Sequence, residues 1–139
     1  MPSKPIQFDP RSVTADSPLS QKQTLFAWCV GQLLVWVYTE LRGVRLTFGE
    51  GHVAITDAKD GDHDGPHRED GGHYRSTAID FNLFINCTWD RPRGEWISRS
   101  DHPMWKVVGD KFMSLHPLCR AGYTWGDANH LSIIHEGVM

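Results

Sequence analysis

TAIDFNLFIN, residues 77 to 86, decides how the rest of the chain is read. Ile79, Phe81, Leu83 and Ile85 alternate with Ala78, Asp80, Asn82 and Phe84. A period of two puts one set on a buried sheet face and the other set on the opposite face. The run is rich in β-branched and aromatic residues and follows a glycine pair, Gly71 and Gly72, so it reads as a strand. Asp80 stands at the mouth of this apolar run, where a charge is costly unless something compensates it. His73 lies seven positions earlier, in GGHYRSTAID.

Toward the N-terminus, EGHVAITDAKDGDHDGPHREDGG (50 to 72) is polar, and its glycines and charges make its second half a loop. A loop of this length inside a compact domain is often functional. VRLTFG (44 to 49) alternates as a short strand, with Val44, Leu46 and Phe48 on one side. Before it, the pattern predicts a helix over 19–41, capped by Ser17 or Ser20 with Pro18 in its first turn, and stopped at Arg42–Gly43. Its apolar arc is wide, with Leu25, Trp28, Cys29, Gln32 and Trp36 beside Phe26, Val30, Leu33, Leu34 and Val37, as expected of a helix covered on more than one side. Residues 1 to 18 are polar and proline-punctuated and read as an extended arm.

Toward the C-terminus, WDRPRGEW (89 to 96) reads as a turn or hairpin crossing. HPMWKVVGDKFMSLHP (102 to 117) has helical periodicity through Trp105, Val108, Phe112 and Leu115, with His102 and His116 at the helix ends. A glycine-containing turn, CRAGYTWGDANH, leads to a last short strand, HLSIIH (130 to 135). The order of elements predicts an α+β fold, a small antiparallel sheet backed by helices, with residues 19 to 139 as one domain.

Composition narrows the function classes. Hydrophobic residues are 40% and charged residues 22%, an ordinary globular balance. Lys plus Arg number 14 against 17 Asp plus Glu, a net charge of −3, which argues against a nucleic-acid backbone as partner. The most apolar stretch, LFAWCVGQLLVWVY (25 to 38), is too short to span a bilayer, so no membrane insertion is expected. MPSKPIQFDPRSVTADSP has no secretory pattern, so synthesis in the cytoplasm is expected. Cys29, Cys87 and Cys119 form no close pair and read as buried or half-buried thiols. One small domain is expected to be a monomer.

The histidines carry the chemistry. Zinc takes imidazole nitrogen and carboxylate oxygen, and a catalytic site uses three protein ligands and a water. His73 and Asp80 are an odd number of positions apart and share an ion only if the chain turns between them; Gly71, Gly72 and the polar Tyr74-Arg75-Ser76 permit that turn. GDANHLSIIH supplies the remaining parts, with His130 as third ligand and Asp127, three positions earlier, as the carboxylate that takes a proton from water. His63 and His67 read as solvated loop residues.

H-x6-D followed by D-x-x-H resembles the zinc D-Ala-D-Ala carboxypeptidase and dipeptidase family, which includes bacteriophage endolysins acting as L-alanyl-D-glutamate endopeptidases. The family's first motif, roughly S-x-H-x-x-G-x-A-x-D, is similar to Gly71-Gly-His73-Tyr-Arg-Ser76-Thr-Ala78-Ile-Asp80, with Gly71 in place of the serine and Ser76 in place of the glycine. Trp125-Gly126-Asp127-Ala-Asn-His130 resembles the second motif. The likeness covers about residues 40 to 135. It implies the D-Ala-D-Ala-peptidase and Hedgehog type of zinc fold, and one zinc ion on His73, Asp80 and His130 with Asp127 as general base. It also implies a peptidoglycan stem-peptide substrate, and an enzyme made in an infected cytoplasm that reaches the cell wall after release. The family's carbonyl-stabilising arginine has no counterpart in LTFGEGHVAITD; His52, Arg45 and Arg75 are the substitutes, and Trp125 is a candidate substrate contact.

Two other readings are open at this stage. HPLCRAGYTWGDANHLSIIHEG has a His–Asn–His order similar to metal-dependent nucleases, in His116, Asn129 and His135 or His130. A zinc-containing domain that binds wall fragments without cleaving them is the other.

Overall fold

The strand that organises the sequence also organises the sheet. The computed structural model describes residue 5, residues 7–49 and residues 76–139. Among these residues it is α+β, with two helices on a small antiparallel sheet. In chain order the elements are α1 (Leu19–Glu40), β1 (Arg45–Phe48), β2 (Ala78–Ile85), β3 (Glu95–Ile97), α2 (Pro103–Leu115), β4 (Cys119–Ala121) and β5 (His130–Ile133). The strand order is β1-β2-β5-β4, and β3 also pairs with β2.

Register sorts the two faces as the alternation predicts. Leu46 opposes Leu83, Phe48 opposes Phe81 and Ile79 opposes Leu131, which places these side chains on the helix-facing side. Leu46, Phe81, Leu83, Leu131 and Ile133 are buried there against Leu25, Leu33, Val37, Val108 and Phe112 of the helices. Phe26 and Phe112 meet edge to face with ring centroids 6.5 Å apart, joining α1 to α2.

Several local expectations are corrected. Pro18, not a serine, occupies the N-cap of α1 and makes no side-chain capping bond; its carbonyl instead accepts the Gln21 and Lys22 N–H groups. The buried stripe of α1 is narrower than predicted: Gln32 is exposed, and Lys22 is buried in line with Leu25 and Cys29. The Lys22 ammonium donates to the Ala15 carbonyl at 2.7 Å and to His135 Nδ1 at 2.9 Å, so its burial is compensated and it ties the N-terminal arm to the end of β5. That arm is not wholly extended. Asp9 caps a single 3-10 turn over Pro10–Ser12, and Val13 enters the core.

The segment read as one long turn after α2 contains β4. Cys119 and Ala121 point inward with half-buried Arg120 between them, too short an alternation to register as a strand. Cys29 and Cys119, far apart in sequence, are neighbours, with Cys119 Sγ donating to Cys29 Sγ at 3.5 Å. That hydrogen bond and burial both push the Cys119 thiol up from its ordinary value, leaving it a poor nucleophile. No disulfide is present among the three cysteines.

Candidate active site

Asp80 and His130 are direct partners in the β2–β5 register. Partners across an antiparallel pair share a face, and this one is the face away from the helices. Asp80 Oδ1 lies 3.7 Å from His130 Nδ1, and Asp127 Oδ2 lies 3.9 Å from the same nitrogen. The two carboxylates differ in environment: the Asp80 side chain is 19% exposed and that of Asp127 is 54% exposed. His130 itself is buried.

Each side chain is held by backbone that the sequence specifies. The Asp80 carbonyl accepts from Gly49 N–H at 2.7 Å, and the next residue, Phe81, donates to the Asn129 carbonyl at 3.0 Å. Asp127 and His130 sit on a turn built from a 3-10 segment, Gly122–Trp125, closed by Gly126 in the left-handed region at φ 85°. The Gly122 carbonyl accepts the Asp127 N–H at 2.9 Å, and the Asp127 carbonyl accepts the His130 N–H at 3.0 Å. Buried Ala128 pins the turn into the core. Tyr123 anchors it from the other side by donating to the Asp110 carboxylate of α2. Trp125 packs edge to face on the His130 imidazole, with centroids 5.6 Å apart. This contact limits how the imidazole can rotate and leaves the indole 42% exposed beside it.

The residue just ahead of β2 is Ser76, with φ 57°. A non-glycine residue pays for that conformation, and it falls between His73 and Asp80, whose odd spacing calls for a turn if they are to share an ion. Ser76 is the position that carries glycine in the motif described above. Ser76→Gly is therefore expected to raise stability by about 0.5–1 kcal/mol, read from the midpoint of urea unfolding. An unchanged or lower midpoint would mean that the serine gains more from its surroundings than its backbone loses.

Of the residues singled out from sequence, Asp80, Asp127, His130 and Trp125 come together. His73, His52, Arg75, His63, His67 and the loop 57–72 lie outside the described residues. Arg45 does not join the group. It opposes Phe84, four residues along β2 from Asp80, or roughly 13 Å of strand, and its guanidinium lies over the Phe84 ring at 4.9 Å. His116 is also elsewhere employed: it donates from Nε2 to the Pro10 carbonyl at 3.0 Å and accepts the Leu118 N–H at Nδ1. His135 accepts from Lys22. The His–Asn–His order is thus spread over structural contacts.

Neither family models, nor curated proteins, nor solved structures match the chain. Its chemistry is read from the residues themselves.

The spacing of Asp80 and His130 is close to that of two ligands on one ion of the zinc type. Two ligands about 2.0–2.1 Å from one tetrahedral ion stand about 3.4 Å apart, close to the Asp80–His130 separation of 3.7 Å. The same separation is too long for a hydrogen bond between them. Among the described residues alone, no three His, Cys, Asp or Glu side chains form a group able to hold a metal ion. Asp80 and His130 supply two donors, and the third in the expected set, His73, lies outside the described residues.

Proposed function

We propose that this protein is a zinc-dependent hydrolase of peptidoglycan stem peptides, of the bacteriophage endolysin type, and that its fold is the D-Ala-D-Ala-peptidase kind. The observation that carries the reading is the meeting of Asp80, His130 and Asp127, from segments some fifty residues apart, around one imidazole nitrogen. The left-handed turn at Ser76 supports it, because it falls at the glycine position of the motif.

The roles follow from environment. Asp80, mostly buried, and His130, held by Trp125, are the ligands that this part of the chain contributes, with His73 completing the set. Zinc bound there would supply an activated water and a Lewis acid for the scissile carbonyl. Asp127 is the more exposed carboxylate and sits on the solvent side of the imidazole, so it can take a proton at Oδ2 and hand it to the leaving amine. Trp125 shields one side of the imidazole and offers an apolar wall to the substrate.

Among the described residues, no helix is long and apolar enough to cross a membrane. The resemblance to phage endolysins implies access to the wall through a separate membrane-disrupting protein.

The test is digestion of purified muropeptides by zinc-loaded protein, with and without a chelator, followed by mass analysis of the fragments. New amine and carboxylate ends within the stem peptide, lost on chelation and restored by zinc, are the expected result. Intact muropeptides under every condition, bound tightly by protein carrying one zinc per chain, would replace hydrolysis with wall binding.

A further inference from the structure

One edge of β2 is shared between two strands. β1 occupies the other edge at positions 81–84. On the shared edge, β5 takes positions 78–80 and β3 takes 83–85, so Phe81 and Asn82 fall between them. A cavity of 210 Å³ opens at this break in the sheet, lined by Asn82, Trp96, Ser98, Ser100, Trp105 and Asn129, together with Phe81 and Ile97.

Three features make this notch a recognition site. It adjoins the reactive groups, since Phe81 follows Asp80, Asn129 precedes His130, and the two residues are joined by the Phe81 N–H to Asn129 carbonyl bond. Among the described residues its polar lining is neutral, two carboxamides and two hydroxyls, with the Asn82 carboxamide also donating to Thr47 Oγ1 at 3.3 Å. The nearby Arg99 is exposed and paired with Asp101 at 3.7 Å. Finally, Trp96 is 63% exposed although large and apolar. It opposes Phe84, which places it on the same face as Asp80. Trp105, nearly fully buried, forms the floor.

Carboxamides and hydroxyls beside an exposed indole suit an uncharged ligand that offers several hydrogen-bonding groups and one flat apolar face. A carboxylate would find no cation among the described lining residues, and an aliphatic side chain would engage none of the polar groups. An N-acetylated amino sugar matches: its acetamido group meets Asn and Ser, and the C–H face of its pyranose ring lies against Trp96. We infer that the notch between β3 and β5 is a subsite for an N-acetylated sugar, through which the enzyme prefers stem peptides still attached to glycan over free peptides. This rests on the peptidase reading for the identity of the attached peptide, and on the notch alone for the sugar.

Two probes test it: a disaccharide–peptide muropeptide and the same stem peptide without sugar. Each is measured for binding by titration calorimetry and for cleavage, with wild type, Trp96→Ala and Trp96→Phe. Wild type is expected to bind the glycan-bearing probe about tenfold more tightly than the free peptide. Trp96→Ala should erase that preference and leave free-peptide binding unchanged, and Trp96→Phe should restore part of it. Because Trp96 is an exposed side chain on an edge strand, unfolding midpoints of both variants should match wild type. Equal binding of both probes by wild type, or a preference that survives Trp96→Ala, overturns the subsite even if both probes are cleaved. Trp96-dependent sugar binding without cleavage of either probe keeps the subsite and removes the peptidase.

Discussion

If the proposed zinc hydrolase reading holds, Asp127→Ala is expected to keep zinc and lose at least about two orders of magnitude in kcat, whereas His130→Ala should lose both zinc and activity. The two residues are three apart and touch the same chemistry, yet their surroundings separate their roles. His130 is buried between Asp80 and Trp125, so its removal takes a ligand from the ion and leaves Asp80 facing a gap in the sheet. Binding energy for a structural or catalytic zinc is partly folding energy, so His130→Ala should also lower the unfolding midpoint and make it insensitive to added zinc. Asp127 is more than half exposed and makes its positioning bonds through its backbone N–H and carbonyl. Those bonds survive truncation at Cβ, so the turn and the metal ligands should stay in place. Metal content by mass spectrometry and single-turnover cleavage separate the outcomes. Near-normal activity in Asp127→Ala would transfer the proton-accepting role to another group, and zinc retained at full occupancy in His130→Ala would remove His130 from the ligand set.

What could be read without coordinates, and what could not, has a physical explanation. α1, α2, β2 and β5 are long or periodic enough for burial to mark them, and Asp80 stood out because a carboxylate breaks an apolar strand. Asp127 and His130 were visible as a spaced pair. Their meeting with Asp80 is a fact of register, which local sequence does not encode: only β2 and β5 in antiparallel pairing place position 80 opposite position 130. β4 is not legible because a three-residue strand has one alternation to show. The burial of Lys22 escaped because its compensating partners, Ala15 and His135, lie at opposite ends of the chain. The notch beside Asn82 belongs to no segment at all, since it arises where two strands divide one edge. Arg45, a candidate from chain order alone, is excluded by its distance along the sheet.

Gly122→Ala should do more damage than any other single-methyl change near the site. An added Cβ there would fall inside the contact radius of the Asp127 carbonyl oxygen and 3.0 Å from His130 Cβ. The first obstacle is main chain, which cannot swing aside as a side chain could. It is also the same peptide that joins Asp127 to Ala128, and whose oxygen fixes the His130 N–H. The turn must therefore open, drawing both residues away from Asp80 and pulling Ala128 out of the core. A loss of about 3 kcal/mol is expected from urea unfolding, with zinc affinity falling even in the fraction that remains folded. Two other glycines serve as controls. Gly126 has open space around it but φ 85°, so Gly126→Ala should cost about 1 kcal/mol through backbone strain alone. Gly31 is helical, exposed and uncrowded, so Gly31→Ala should stabilise by about 0.5–1 kcal/mol. Should Gly122→Ala instead match Gly126→Ala in cost and bind zinc normally, the turn is more pliable than its hydrogen bonds indicate, and Asp127 and His130 are positioned chiefly by their own side-chain contacts.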